Sequence, residues 1–144
     1  MVLKYLKINN ENYEYVKRLM IDSYDDDALL HTGSEYFNNN EDEKFLKILK
    51  YEFKVVLKDD KIIGGYSFDI NNKELISLFI DPLLQRFGYG KIVIEYILNK
   101  YGDDCKLSIP SYSKKSYDFF KNSGFIAVEE NYFDDFIVMK YNSN

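Results

Sequence analysis

Gln85-Arg86-Phe87-Gly88-Tyr89-Gly90-Lys91 places two closely spaced glycines between cationic side chains, and it follows the apolar run Leu78-Phe79-Ile80 and the pair Asp81-Pro82. An apolar strand, a glycine loop and a helix in that order suit anion binding. The first peptide N–H groups of a helix have no intrahelical acceptor, and the helix dipole adds partial positive charge there. Glycine lets an anion approach the backbone and tolerates φ > 0. Arg86 is one of only two arginines in the chain. Gly-x-Gly at such a turn is also ordinary loop chemistry. Two phosphate fingerprints are excluded: no Gly-Lys-Ser/Thr follows, and Val93 stands where a dinucleotide-binding loop has its third glycine.

Other chemistry is sparse. Cys105 is the only cysteine and His31 the only histidine. An intramolecular disulfide, a cysteine-rich zinc site and a two-histidine metal motif are therefore excluded, and no metal is expected. A Ser/His/Asp triad would hang on His31 alone. Glu74 and Asp81 bracket the strand before the loop, and each is a candidate base acting through water or a solvated strand-end carboxylate. Cys105 reads most simply as a small buried hydrophobe.

The elements that position these residues follow from periodicity. Val2–Ile8 reads as a short strand. Tyr13, Val16, Leu19, Met20 and Ser23 recur at helical spacing, and a second helical pattern carries Phe45, Leu46 and Leu49. Phe53–Leu57 and Ile62–Ile70 form a hairpin across Lys58-Asp59-Asp60-Lys61, and Asn71-Asn72 turns the chain into Leu75–Ile80. A helix from about Gly90 to Tyr101, a strand Cys105–Ile109, a helix Ser113–Lys121 with Ser113 as N-cap, and strands Phe125–Val128 and Phe136–Lys140 complete the order. The order is β-α-α-β-β-β-α-β-α-β-β, an α+β or mixed α/β sheet flanked by about four helices.

The chain has 144 residues, 46% of them hydrophobic, and neither internal repeats nor a linker, so a single domain over 1–144 is expected. Nineteen basic against 24 acidic residues give a net charge of −5, which argues against nucleic acid as a partner. No apolar run reaches a membrane span and no signal peptide opens the sequence, so a cytoplasmic protein is expected. The aromatic content, 17%, suits a homodimer interface as well as a core.

Gln85-x-x-Gly88-x-Gly90 after Phe79-Ile80-Asp81-Pro82 resembles the acyl-CoA motif of the GNAT-type N-acetyltransferases, Gln/Arg-x-x-Gly-x-Gly/Ala. Phe119-Phe120-Lys121-Asn122-Ser123-Gly124-Phe125 resembles the family's aromatic-rich helix ending in Gly-Phe, and Val138-Met139-Lys140 its closing strand. The resemblance runs the length of the chain. It implies a central mixed, mostly antiparallel sheet splayed near Leu78–Ile80 and Lys106–Ile109. It implies acetyl-CoA as cosubstrate, with peptide groups from Arg86 to Lys91 around the pyrophosphate. Backbone at Leu78, Phe79 and Ile80 would pair with the pantetheine arm, one group polarising the thioester carbonyl. The acceptor, a primary amine of a small molecule or peptide, attacks directly in a ternary complex.

Two positions depart from the family pattern. Phe120 stands where a tyrosine often protonates the departing thiolate, and Ser113 where an asparagine usually contacts the cofactor. Tyr117, one turn before Phe120, is a substitute acid or simply core. Without an acid, the alternative is an acyl-CoA-binding module with weak or no transferase activity. His31 falls in the loop where the family places its acceptor site, and the acidic run Asp25, Asp26 and Asp27 borders the same region. The run either attracts a cationic amine or is a solvated loop. Lys114 and Lys115 are candidates to neutralise the 3′-phosphate.

Overall fold

The computed structural model describes residues 2–24, 41–131 and 135–142. Its order is β1 (Lys4–Leu6), α1 (Tyr13–Tyr24), α2 (Glu41–Ile48), β2 (Glu52–Lys58), β3 (Lys61–Asp69), β4 (Glu74–Ile80), α3 (Tyr89–Tyr101), β5 (Lys106–Pro110), α4 (Lys114–Asn122), β6 (Phe125–Asn131) and β7 (Phe136–Tyr141). That is the order the periodicity predicts. Local chemistry sets several of the boundaries. Ahead of α1, the side chains of Asn9 and Asn12 each accept the other's backbone N–H at 2.9 Å. At the Asn71-Asn72 turn, the Asp69 carboxylate accepts both backbone N–H groups and the Asn72 side-chain amide.

One seven-stranded sheet runs β1-β2-β3-β4-β5-β7-β6, antiparallel except for β4 beside β5. Each face buries its own core. Val55, Ile76 and Phe79 pack with α1 and α2, while Tyr66, Leu78 and Ile80 pack with α3 and α4. Along β4 the alternation slips once. Ser67 pairs with Ser77 but Phe68 pairs with Leu75, so Ile76 is an extra residue, a β-bulge.

The most consequential feature is the join between β4 and β5. Only Glu74 and Leu75 pair across it, with Lys106 and Leu107; beyond them the strands part. The splay implied by the family resemblance therefore begins after Leu107, and Lys106 lies in the closed end. Ser113 also departs from expectation. It occupies the N-cap position of α4, but its side chain makes no cap hydrogen bond. Its hydroxyl is buried without a partner among the described residues, and the first turn closes instead from Tyr117 N–H to the Ser113 carbonyl at 3.0 Å.

Candidate functional site

At the open end of the β4–β5 gap the chain turns sharply. The Asp81 carboxylate accepts the Leu83 N–H at 3.0 Å and caps a 3₁₀ turn over Pro82–Leu84. Arg86 (φ 77°) and Gly88 (φ 86°) are both left-handed. An L side chain is strained in that conformation, so Arg86 carries a local cost here, as Asp59, Asp60, Lys73 and Asp135 do at other turns. A Cβ on Gly88 would meet nothing within 4 Å and would project into open space. The first intrahelical bond of α3 runs from Ile92 N–H to the Gly88 carbonyl, leaving Tyr89, Gly90 and Lys91 with N–H groups that have no acceptor in the helix.

These residues form one wall of a cleft of about 490 Å³, and α4 forms the other. Ile80, Gln85, Arg86 and Lys91 face Lys115 and Phe119 across it. Among the described residues, the only carboxylate in the lining is that of Asp118, which is paired with Lys114 at 2.8 Å. In a chain of net charge −5, three cations thus gather around one neutralised acid. Such a pocket attracts an anion.

The gap itself offers backbone. Asp81 N–H donates to the Ile63 carbonyl at 2.7 Å, which fixes the antiparallel phase with β3. By alternation, Phe79 and Ser77 commit their peptide groups to β3, whereas Leu78 and Ile80 turn theirs toward the gap. The Ile80 carbonyl already accepts Gln85 Nε2 at 3.1 Å. Gly64 and Gly65 permit the close approach of β3 to β4, because a Cβ on Gly64 would meet the Phe79 carbonyl oxygen and one on Gly65 the Phe79 ring at 2.8 Å. Periodicity alone misses this pair, although two adjacent glycines inside a strand signal close backbone approach.

The remaining candidates scatter. Phe87 is exposed beside Tyr89, its ring centroid 6.3 Å away, and is not in the cleft lining. Ser113 and Phe120 lie buried on the inner side of α4, Phe120 edge-on to Phe119 and Phe125. Tyr117 packs half-buried against the α3–α4 core and is likewise outside the cleft lining. Glu74 and Asp81 sit at opposite ends of β4, so they cannot share one task. Asp25, Asp26, Asp27 and His31 fall outside the described residues. The Cys105 thiol is buried and its pKa is pushed up to about 12, chiefly by that burial and then by the Asp104 and Glu74 charges, which disqualifies it as a nucleophile. Asn122 and Ser123 also line the cleft, at its α4 end, and carry no sequence signal of that role.

A splayed mixed sheet with a cation-lined glycine turn at its mouth is the architecture of the GNAT acetyltransferases. The sequence profile described as the acetyltransferase (GNAT) domain matches residues 10–140. The chain belongs to that family. Its fold is similar over 97% of its length to an acetyltransferase from Thermus thermophilus, covering 96% of that chain (TM-score 0.75, 14% identity). It is also similar to apo YjaB from Escherichia coli, over the whole of both chains (0.71, 17%). The paia N-acetyltransferase of Thermoplasma acidophilum, solved in complex with coenzyme A, matches over 99% of both chains (0.69, 15%). No curated protein matches the sequence. Among the described residues, no helix is long and apolar enough to cross a membrane.

Proposed function

We propose that this protein transfers the acetyl group of acetyl-CoA to a primary amine of a small molecule or peptide. The observation that carries the reading is the β4–β5 gap opening onto the cation-lined cleft. The diphosphate lies against the N–H groups of Tyr89, Gly90 and Lys91, flanked by Arg86 and Lys115. The pantetheine arm then enters the gap as an added strand beside Leu78 and Ile80. Its extended length, about four residues or roughly 14 Å, brings the thioester to the bulge at Ile76 and Ser77.

The amine nitrogen attacks the thioester carbon, the C–S bond breaks, and the products are the amide and coenzyme A. The Leu78 N–H stabilises the oxyanion, and the attacking ammonium first gives up a proton. Glu74 is better placed than Asp81 to take that proton. It lies at the closed end of the gap, on the sheet face that Ile76 also occupies, while Asp81 sits at the mouth with its carboxylate engaged by Leu83. The second N–H proton leaves the tetrahedral intermediate to solvent, and solvent protonates the departing thiolate, since Phe120 has no proton to give and Tyr117 stands outside the cleft lining.

The test is acetyl-CoA titration followed by thiol release across an amine panel. Wild type should bind and turn over, and Gly88→Leu, whose side chain fills the anion's place, should weaken binding at least about tenfold. Affinity unchanged in that variant refutes the reading. A second reading, a CoA-binding module, draws on Phe120 and predicts tight binding with no thiol release on any amine.

A further inference from the structure

On the face of the sheet opposite α3 and α4, one row of charged residues crosses three neighbouring strands: Glu74 on β4, Lys106 on β5 and Lys140 on β7. Glu74 pairs in register with Lys106, and Lys106 with Lys140. Their sequence neighbours Leu75, Leu107 and Met139 point into the α3–α4 core, so the three charged side chains share the other face. Directly opposed residues have Cβ atoms about 5 Å apart, and like charges so placed are destabilising. Both lysines are exposed, and neither has an ion pair among the described residues.

Lysines are common on edge strands, where they prevent sheet-to-sheet aggregation. That explanation fails here, because β5 and β7 each have a strand on both sides. Two facing cations inside a sheet, in a chain with an acidic excess, are what a bound carboxylate would stabilise. Their position adds the second argument. The row marks the closed end of the β4–β5 gap, where the thioester lies in the reading above. Glu74 is one strand spacing, about 4.8 Å, from the nearer lysine.

We propose that the acceptor is an amine that also carries a carboxylate a few bonds away, as an amino acid does. Glu74 faces the amino group, and Lys106 and Lys140 hold the carboxylate. Ser108 and Val138, the next pair on this face, are half-buried and bound the space beside the lysines. The inference rests on the acetyltransferase reading and refines it.

The experiment compares L-amino acids with their primary amides as acceptors, by thiol release from acetyl-CoA at low salt. The acids should show kcat/KM about tenfold or more above their amides, the ratio expected of one charge-assisted contact. Lys106→Gln and Lys140→Gln should bring that ratio to about one through KM, and Lys140→Arg should restore it. Circular dichroism and CoA affinity of each variant confirm the fold. A wild-type ratio near one, a ratio kept in both glutamine variants, or CoA binding with no amino acid acetylated overturns the inference. Failure of wild type to bind CoA at all overturns the acetyltransferase reading beneath it.

Discussion

Gln85 reaches back five residues, and its Nε2 donates to the Ile80 carbonyl oxygen at 3.1 Å, tying the glycine loop to the last residue of β4. The bond joins the two parts of the candidate site, the turn that faces the anion and the strand that borders the gap. Position 85 thus acts on the cleft through backbone geometry.

Gln85→Ala removes one part-buried hydrogen bond, a loss of about 1 kcal/mol, and should lower Tm by roughly 3 °C for a chain of this size. Gln85→Glu should be worse than alanine for ligand binding. Glutamate cannot donate to the carbonyl, and its charge repels the anion. Calorimetric titration with CoA ranks the three proteins. Glutamate binding as well as wild type would mean that the Gln85–Ile80 bond plays no part in shaping the loop.

Two glycine substitutions separate fold from site. Gly88→Ala puts a methyl group into open space, at the cost of a left-handed alanine, about 1 kcal/mol. Gly64→Ala drives a methyl group onto the Phe79 carbonyl oxygen, overpacking that costs about 1–3 kcal/mol or more and displaces β4. Chemical denaturation should show Gly64→Ala as the less stable, while CoA titration should show affinity falling in Gly88→Ala beyond what its stability loss accounts for. The reverse order of stabilities contradicts the strand spacing described here.

The element order was legible because β4, α3 and the β2–β3 hairpin each carry an unmixed period bounded by turn residues. The loop was legible because glycine and arginine are rare in this chain. What escaped reading depends on tertiary contact. Ser113 has a capping residue's chemistry, yet its hydroxyl is buried and makes no bond to the helix N–H groups. The extra residue at Ile76 leaves no trace in a run apolar at every position but Ser77, since either phase of Leu75–Ile80 looks buried. The facing of Lys106 and Lys140 depends on the β5–β7 register, which joins strands far apart in sequence.

A buried polar chain links sheet and helix at the far end of α3. The Tyr66 and Tyr101 hydroxyls are 2.9 Å apart, and Tyr101 also donates to the Glu52 carboxylate. Tyr101 stacks on Phe68, with ring centroids 4.1 Å apart. Tyr101→Phe keeps the stack but strips a partner from both Tyr66 and Glu52, and should cost about 1–3 kcal/mol in urea unfolding. Adding Tyr66→Phe should cost less than it does alone, because its hydroxyl has already lost its partner. Strict additivity would argue that the two hydroxyls do not interact.

Alkaline pH should destabilise the fold from about pH 9 upward. Burial raises the Cys105 thiol to about 12, burial and then Tyr96 raise Tyr5 to about 12, and burial pushes the Tyr66 and Tyr101 phenols higher still. All four groups are neutral when protonated, and the folded state holds those protons more tightly than the unfolded chain. Their contribution is therefore complete below the unfolded pKa values, near 8.5–9 for the thiol and about 10 for the phenols, and is lost as pH climbs through that range toward the folded values. The buried thiol alone sets a slope of up to about 1.4 kcal/mol per pH unit, starting near pH 9. Urea midpoints should hold from pH 7 to 8, fall by pH 10 and steepen beyond as phenols ionise in the unfolded chain. Cys105→Ala lowers stability throughout by opening a small cavity, but it should flatten the decline between pH 9 and 10. A midpoint that holds or rises from pH 8 to 10 in wild type would show that these protons are held no more tightly in the folded state.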